Sequence, residues 1–188
     1  MPLSLLDPNT ALIVIDLQKG IVNGNFIHPI GDIIHRTRTL IDVFRAKALP
    51  VVLVNVAGRA PGRTEQSLRS NLSLSEGWAD LLPELGQQPS DIAVTKRSWG
   101  AFATTDLERQ LKERGITQVV VTGIVTSGGV EATARQAYEQ GFNVTLATDA
   151  MTDMRDEAHQ YSITNVFPRV GETGTTQDIL DLLSARSA

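Results

Sequence analysis

The sequence predicts one α/β domain, a three-layer sandwich in which a mostly parallel six-stranded sheet is flanked by helices on both faces. Three observations predict it. Short apolar runs of strand length alternate with longer segments of helical periodicity along the whole chain. The apolar runs are continuous rather than alternating, which is the pattern of strands covered on both faces. A length of 188 residues suffices for one sizeable core and is short for two, so residues 1–188 are read as a single domain.

Strands are expected at residues 11–15 (Ala-Leu-Ile-Val-Ile), 50–56 (Pro-Val-Val-Leu-Val-Asn-Val), 92–95, 118–122, 143–147 and 168–170. Helices are expected between them. Residues 31–48 carry Ile33, Ile34, Leu40, Ile41, Val43 and Phe44 at helical spacing and stop before Pro50. Residues 105–114 and 130–140 end at Gly115 and Gly141, the residue type favoured just past a helix end. Residues 155–166 stop before Pro168, and 176–184 close the chain. Residues 57–88 fit neither pattern. They are rich in Gly, Ser, Arg and Pro around Trp78, and a long insertion of this kind reads as a lid, a binding loop or an oligomer contact.

Composition narrows the function classes. With 41% hydrophobic and 20% charged residues the chain is globular. A net charge of −4 offers no basic footprint, so nucleic acid is not an expected partner. No stretch approaches the ~20 apolar residues that span a bilayer, and the first residues lack the basic-then-apolar order of a signal peptide. The expectation is a cytoplasmic protein. The sequence contains no cysteine, which removes disulfides, thiolate metal sites and cysteine nucleophiles together. His28, His35 and His159 are far apart in sequence, lack metal-ligand spacing and are expected at the surface or in loops. Neither a metal nor a cofactor is expected.

In an open parallel sheet, ligands bind beyond the carboxyl ends of the strands. Three features fall there. Asp16 ends the first strand, Lys96 follows the third, and residues 123–129 (Gly-Ile-Val-Thr-Ser-Gly-Gly) connect the fourth strand to a helix. Asp16 alone reads equally as a turn cap or as an acid or base, and Lys96 alone as a solvated strand end. At neighbouring sheet ends they make a pair: the ammonium favours the ionised carboxylate and burial opposes it. The Gly-rich turn presents backbone N–H groups at the start of a helix. It lacks the spacing of a phosphate loop and reads as a site for an oxyanion or carboxylate. Trp99 and Phe102, in Ser-Trp-Gly-Ala-Phe, either line an apolar pocket or pack the loop. Arg59 and Arg63 either grip an anion or are solvated.

Taken in order, Ala-Leu-Ile-Val-Ile-Asp16-Leu-Gln18, Thr-Lys96-Arg-Ser-Trp-Gly-Ala-Phe and Val-Thr-Gly-Ile-Val-Thr-Ser-Gly-Gly129-Val-Glu-Ala-Thr resemble the isochorismatase-like hydrolases, also called the cysteine hydrolase superfamily. The following Gly-Phe-Asn-Val-Thr-Leu-Ala-Thr-Asp-Ala is similar as well, so the resemblance runs over residues 7–183. It implies a Rossmann-like sheet, a homo-oligomer (dimer or tetramer), a cis peptide at Ile124–Val125 and an Asp-Lys-Cys triad. Asp16 and Lys96 match the first two members, and Gly129 stands where the cysteine belongs. Substrate contacts implied alongside are Gln18, Trp99, Phe102, Ile124, Val125, Thr126, Ser127 and Gly128. Family members without the cysteine include true isochorismatases, in which the aspartate protonates a vinyl ether carbon and water adds to the resulting cation. At the turn, Thr126-Ser-Gly-Gly129 is more similar to bacterial hydrolases of the family with glycine at the cysteine position. The resemblance thus implies a hydrolase acting without a thiol on a small anionic substrate. A non-catalytic ligand-binding or assembly protein on the same fold is the alternative.

Overall fold

Valine, isoleucine and leucine fill the central strands because each side chain there meets a covering helix. The structure, a computed structural model, describes residues 3–65 and 74–185. Six strands form one sheet: β1 (Thr10–Ile15), β2 (Val51–Val56), β3 (Ile92–Lys96), β4 (Gln118–Ile124), β5 (Asn143–Thr152) and β6 (Glu172–Gly174). Their spatial order is β3-β2-β1-β4-β5-β6, and every neighbouring pair is parallel. The helices are α1 (Ile30–Ala46), α2 (Leu107–Glu113), α3 (Glu131–Glu139), α4 (Asp156–Tyr161), α5 (Phe167–Val170) and α6 (Thr176–Ala185).

Alternation along each strand builds two cores. Ala11, Ile13 and Ile15 of β1 join Val52, Val54, Val119 and Val121 under α2, α3 and α5. Leu12 and Val14 join Val51, Leu53 and Val120 under α1 and α6. A strand buried on both faces needs an apolar residue at every position, and this is why the runs are continuous. At roughly 1.5–3 kcal/mol per buried Val, Leu or Ile, the central strands are the main source of stability. Strand order reverses direction between β1 and β4. In open parallel sheets such a switch point, beyond the carboxyl ends of the strands, is where ligands generally bind.

Several elements differ from the sequence expectation. Residues 168–170 are not a strand: they belong to α5, where Pro168 takes a first-turn position and Phe167 and Val170 bury one face. The sixth strand is Glu172–Gly174, which has no large apolar residue to announce it. The helix expected over 155–166 is α4 followed by a wide π turn, Ser162–Val166. β5 runs on to Thr152, past a register shift opposite Val121 and Gly123. Of residues 57–88, positions 66–73 lie outside the described residues. The remainder is partly core. Lys19 N–H donates to the Asp80 carbonyl and Leu82 N–H to the Leu17 carbonyl, an antiparallel ribbon that buries Leu82 and Leu85. No described helix is long and apolar enough to cross a membrane.

Candidate active site

Asp16 is the first residue beyond β1, and its backbone leaves the strand alternation with φ of 55°. A left-handed conformation costs a non-glycine residue about 1 kcal/mol or more, least for Asp and Asn. Backbone bonds hold it there: Asp16 N–H donates to the Val54 carbonyl, and Gln18 N–H donates to the Asp16 carbonyl at 2.8 Å. Lys96 ends β3, two strands away, a separation of roughly 10 Å at normal strand spacing. Its long side chain crosses that distance entirely within the protein. Lys96 Nζ donates to Asp16 Oδ2 at 2.7 Å and to the Trp99 carbonyl at 2.7 Å. Both side chains are inaccessible, at 1% exposure for Lys96 and 7% for Asp16.

The two carboxyl oxygens of Asp16 are therefore unlike. Oδ2 is held by the ammonium, whereas Oδ1 is buried with no hydrogen-bond partner among the described residues. Burial is the largest influence on this carboxyl and pushes its pKa from 3.8 to about 6; the charge and hydrogen bond of Lys96 pull the other way and are outweighed. Asp16 can thus hold or release a proton near neutral pH.

The third component comes from the β4–α3 connection. Gly123 has φ of +114°, and a Cβ there would fall 2.1 Å from the Ile15 carbonyl oxygen, so only glycine allows β4 to pass this close to β1. A cis peptide joins Ile124 and Val125, where the resemblance implies one. The chain then makes a π turn, Thr126–Val130, with the Val125 carbonyl accepting from both Gly128 and Val130 N–H. This turn delivers Gly129 onto the ion pair. A Cβ at Gly129 would stand 3.0 Å from Asp16 Oδ2, 3.0 Å from Ile15 Cγ2 and 3.3 Å from Lys96 Nζ. The structure thus brings Asp16, Lys96 and Gly129 together, from three separate strand ends.

Other expected site residues fall elsewhere. Gln18 is fully buried: Nε2 donates to the carbonyls of Val56 and Trp78, and Oε1 accepts from Val56 N–H. Its carboxamide is a clamp that ties the 78–82 ribbon to β2, with both amide hydrogens used within the protein. Phe102 is core, stacked on Phe142 with ring centroids 5.9 Å apart. The Ile124 side chain is also core. Trp99 keeps an exposed indole and uses only its carbonyl on Lys96. The amides of Ser127 and Gly128 have internal partners, Asp153 Oδ2 at 2.7 Å and the Val125 carbonyl, so neither is a free oxyanion donor. Val125 is half-buried, and Arg59 and Arg63 are exposed.

Two supporting residues escaped the sequence reading. Asp153, at the end of β5, accepts from Ser127, Met154 and Arg155 N–H and braces the turn. His159, expected at the surface, is buried with Nδ1 2.9 Å from Thr126 Oγ1, and its ring meets that of His28 edge-on. Burial first and His28 second hold its pKa below the usual range, against the pull of Asp153 and Asp156. The available signal was weak: a histidine one turn into a helix, on the face that looks inward. Among the described residues, no group of three or more His, Asp or Glu is placed to hold a metal ion.

Comparison with known proteins agrees with this architecture. Residues 10–178 match the isochorismatase domain family model. The chain is 40% identical over 178 residues to the isochorismatase family protein YwoC of Bacillus subtilis, covering 92% of this chain and 93% of that one. It is 30% identical over 170 residues to Nicotinamidase 3 of Arabidopsis thaliana, covering 85% and 83% respectively. A solved isochorismatase family structure from Burkholderia thailandensis matches with a TM-score of 0.91 at 40% identity, over 96% of this chain and 98% of that one. With the sheet order and the sequence match in agreement, this chain belongs to the isochorismatase family of hydrolases.

Proposed function

We propose that the chain is a hydrolase that works without covalent attack, with Asp16 as general acid and then base on a small anionic substrate of the isochorismate-like vinyl ether type. The observation that carries this reading is the asymmetric carboxyl: Oδ2 is fixed on Lys96, and Oδ1 is buried and unpartnered. Gly129 takes the position where the cysteine hydrolases of the family place their nucleophile. No thiol exists in the chain to act there.

Protonated Asp16 delivers its proton to the terminal vinyl carbon. The π electron pair forms the new C–H bond, and the adjacent carbon becomes an oxocarbenium ion shared with the ether oxygen. Water adds to that carbon and gives a proton back to the Asp16 carboxylate. The hemiketal then collapses to a ketone and an alcohol, so one water is consumed and the enzyme is restored. Lys96 fixes the direction of the carboxyl and limits how far burial raises its pKa.

The test is an assay of the purified protein against carboxylated enol ethers and, in parallel, small amides. Keto acid release from the enol ether, abolished in Asp16→Asn, is the expected result. Undiminished turnover by Asp16→Asn overturns the mechanism.

A further inference from the structure

The Asp16–Lys96 pair is not held by its own two side chains alone. Lys96 Nζ also binds the Trp99 carbonyl, so the position of the ammonium depends on the loop that follows β3. That loop is fastened to α3 at two successive amides. Ala101 N–H donates to Thr133 Oγ1 at 3.1 Å, and Phe102 N–H donates to Gln136 Oε1 at 3.0 Å. Thr133 and Gln136 are three residues apart and therefore share one face of the helix. Gly100 makes the approach possible, since a Cβ there would fall 2.2 Å from Gln136 Oε1.

Thr133 has a second bond. Its hydroxyl donates to the Gly129 carbonyl at 2.6 Å while accepting from Ala101. One buried hydroxyl thus joins the glycine that faces the pair to the loop that aims the lysine. A threonine in the first turn of a helix bonded to the carbonyl four residues back is ordinary by itself. The second acceptance, from a different strand end, is what makes it a link.

We infer that Thr133 and Gln136 are positioning residues that set the separation of Lys96 from Asp16 by fixing residues 99–102 against α3. The functional weight of that separation rests on the acid role of Asp16 proposed above; the linkage itself does not. If the clamp is released, the ammonium loses one of its two fixed partners and its hold on Asp16 loosens. The carboxyl then titrates at higher pH, because an opposite charge favours the ionised form.

The experiment reads the titration of Asp16 by carbon-13 NMR of the labelled carboxyl, with the Asp16→Asn spectrum identifying the signal. The variants are Thr133→Val, which keeps volume and removes the hydroxyl, Gln136→Met, and Thr133→Ser as the conservative rescue. The expected result is a midpoint raised by about tenfold in proton affinity in Thr133→Val and Gln136→Met, and restored in Thr133→Ser. A purely structural role lowers the melting temperature and leaves the midpoint alone. An unchanged midpoint in folded variants overturns the inference, and if Thr133→Val does not fold, Gln136→Met decides. The wild-type midpoint separately tests the acid role: an ordinary value there removes the proposed function without touching the clamp comparison.

Discussion

Lys96 Nζ and Asp16 Oδ2 stand 2.7 Å apart, although the residues are 80 positions apart in sequence and their strands are not neighbours in the sheet. The strand between them, β2, supplies the bond from its Val54 carbonyl that holds Asp16, and Val56 lies in register with Lys96. Removing either partner leaves a buried charge alone, an event that costs about 3–5 kcal/mol.

The pH dependence of turnover follows from the raised carboxyl. Acting as an acid, Asp16 must be protonated, so kcat/KM is level below about pH 6 and falls tenfold per pH unit above it. In Lys96→Met the lowering pull is gone and the descending limb moves to higher pH. A pH–rate profile of both proteins checks the direction; a limb that rises with pH would contradict acid catalysis.

Stability carries the same signature. A folded pKa of about 6 against 3.8 makes Asp16 favour the folded state below pH 3.8, and this contribution of roughly 3 kcal/mol is lost as pH rises through 6. Relative to Asp16→Asn, the wild-type protein therefore loses stability between pH 4 and 6. Urea unfolding of both proteins at several pH values measures it.

Filling Gly129 compresses the pair. In Gly129→Ala the new methyl meets Asp16 Oδ2 and Ile15 Cγ2 at 3.0 Å, closer than van der Waals contact, and the carboxylate or Ile15 must give way. The expected cost is about 1–3 kcal/mol with a fall in turnover. Thermal unfolding together with a crystal structure of the variant tests both.

Gly123→Ala is the severe case. Its Cβ would lie 2.1 Å from the Ile15 carbonyl oxygen, and φ of +114° is itself hostile to a side chain. A loss above about 4 kcal/mol is expected, seen as failure to yield soluble folded protein.

Gln18→Leu separates structure from chemistry. Three hydrogen bonds to Val56 and Trp78 disappear at a cost of about 3 kcal/mol, with Asp16 and Lys96 still paired. Hydrogen exchange is expected to accelerate first in residues 78–82, with the Asp16 titration unchanged.

Much of this was readable beforehand because parallel sheets leave few choices. Continuous apolar runs identified five of the strands, and residues at their carboxyl ends had to share one rim, so Asp16, Lys96 and the turn at Gly129 were gathered correctly. The sixth strand, Glu172–Gly174, was missed because it pairs only by backbone and buries no large side chain. The burial of Gln18 and Phe102 was not legible for a different reason. Being near a site in sequence does not say which way a side chain turns, and these two turn into the protein. Thr133 and Gln136 carried no visible signal, since polar residues within a helix ordinarily face solvent.

The lysine that crosses β2 also has a mechanical meaning. β3 is an outermost strand, bonded to a single neighbour, and such strands open most readily. Here its opening would strip Asp16 of its counter-charge, so the rim of the sheet is latched from the middle.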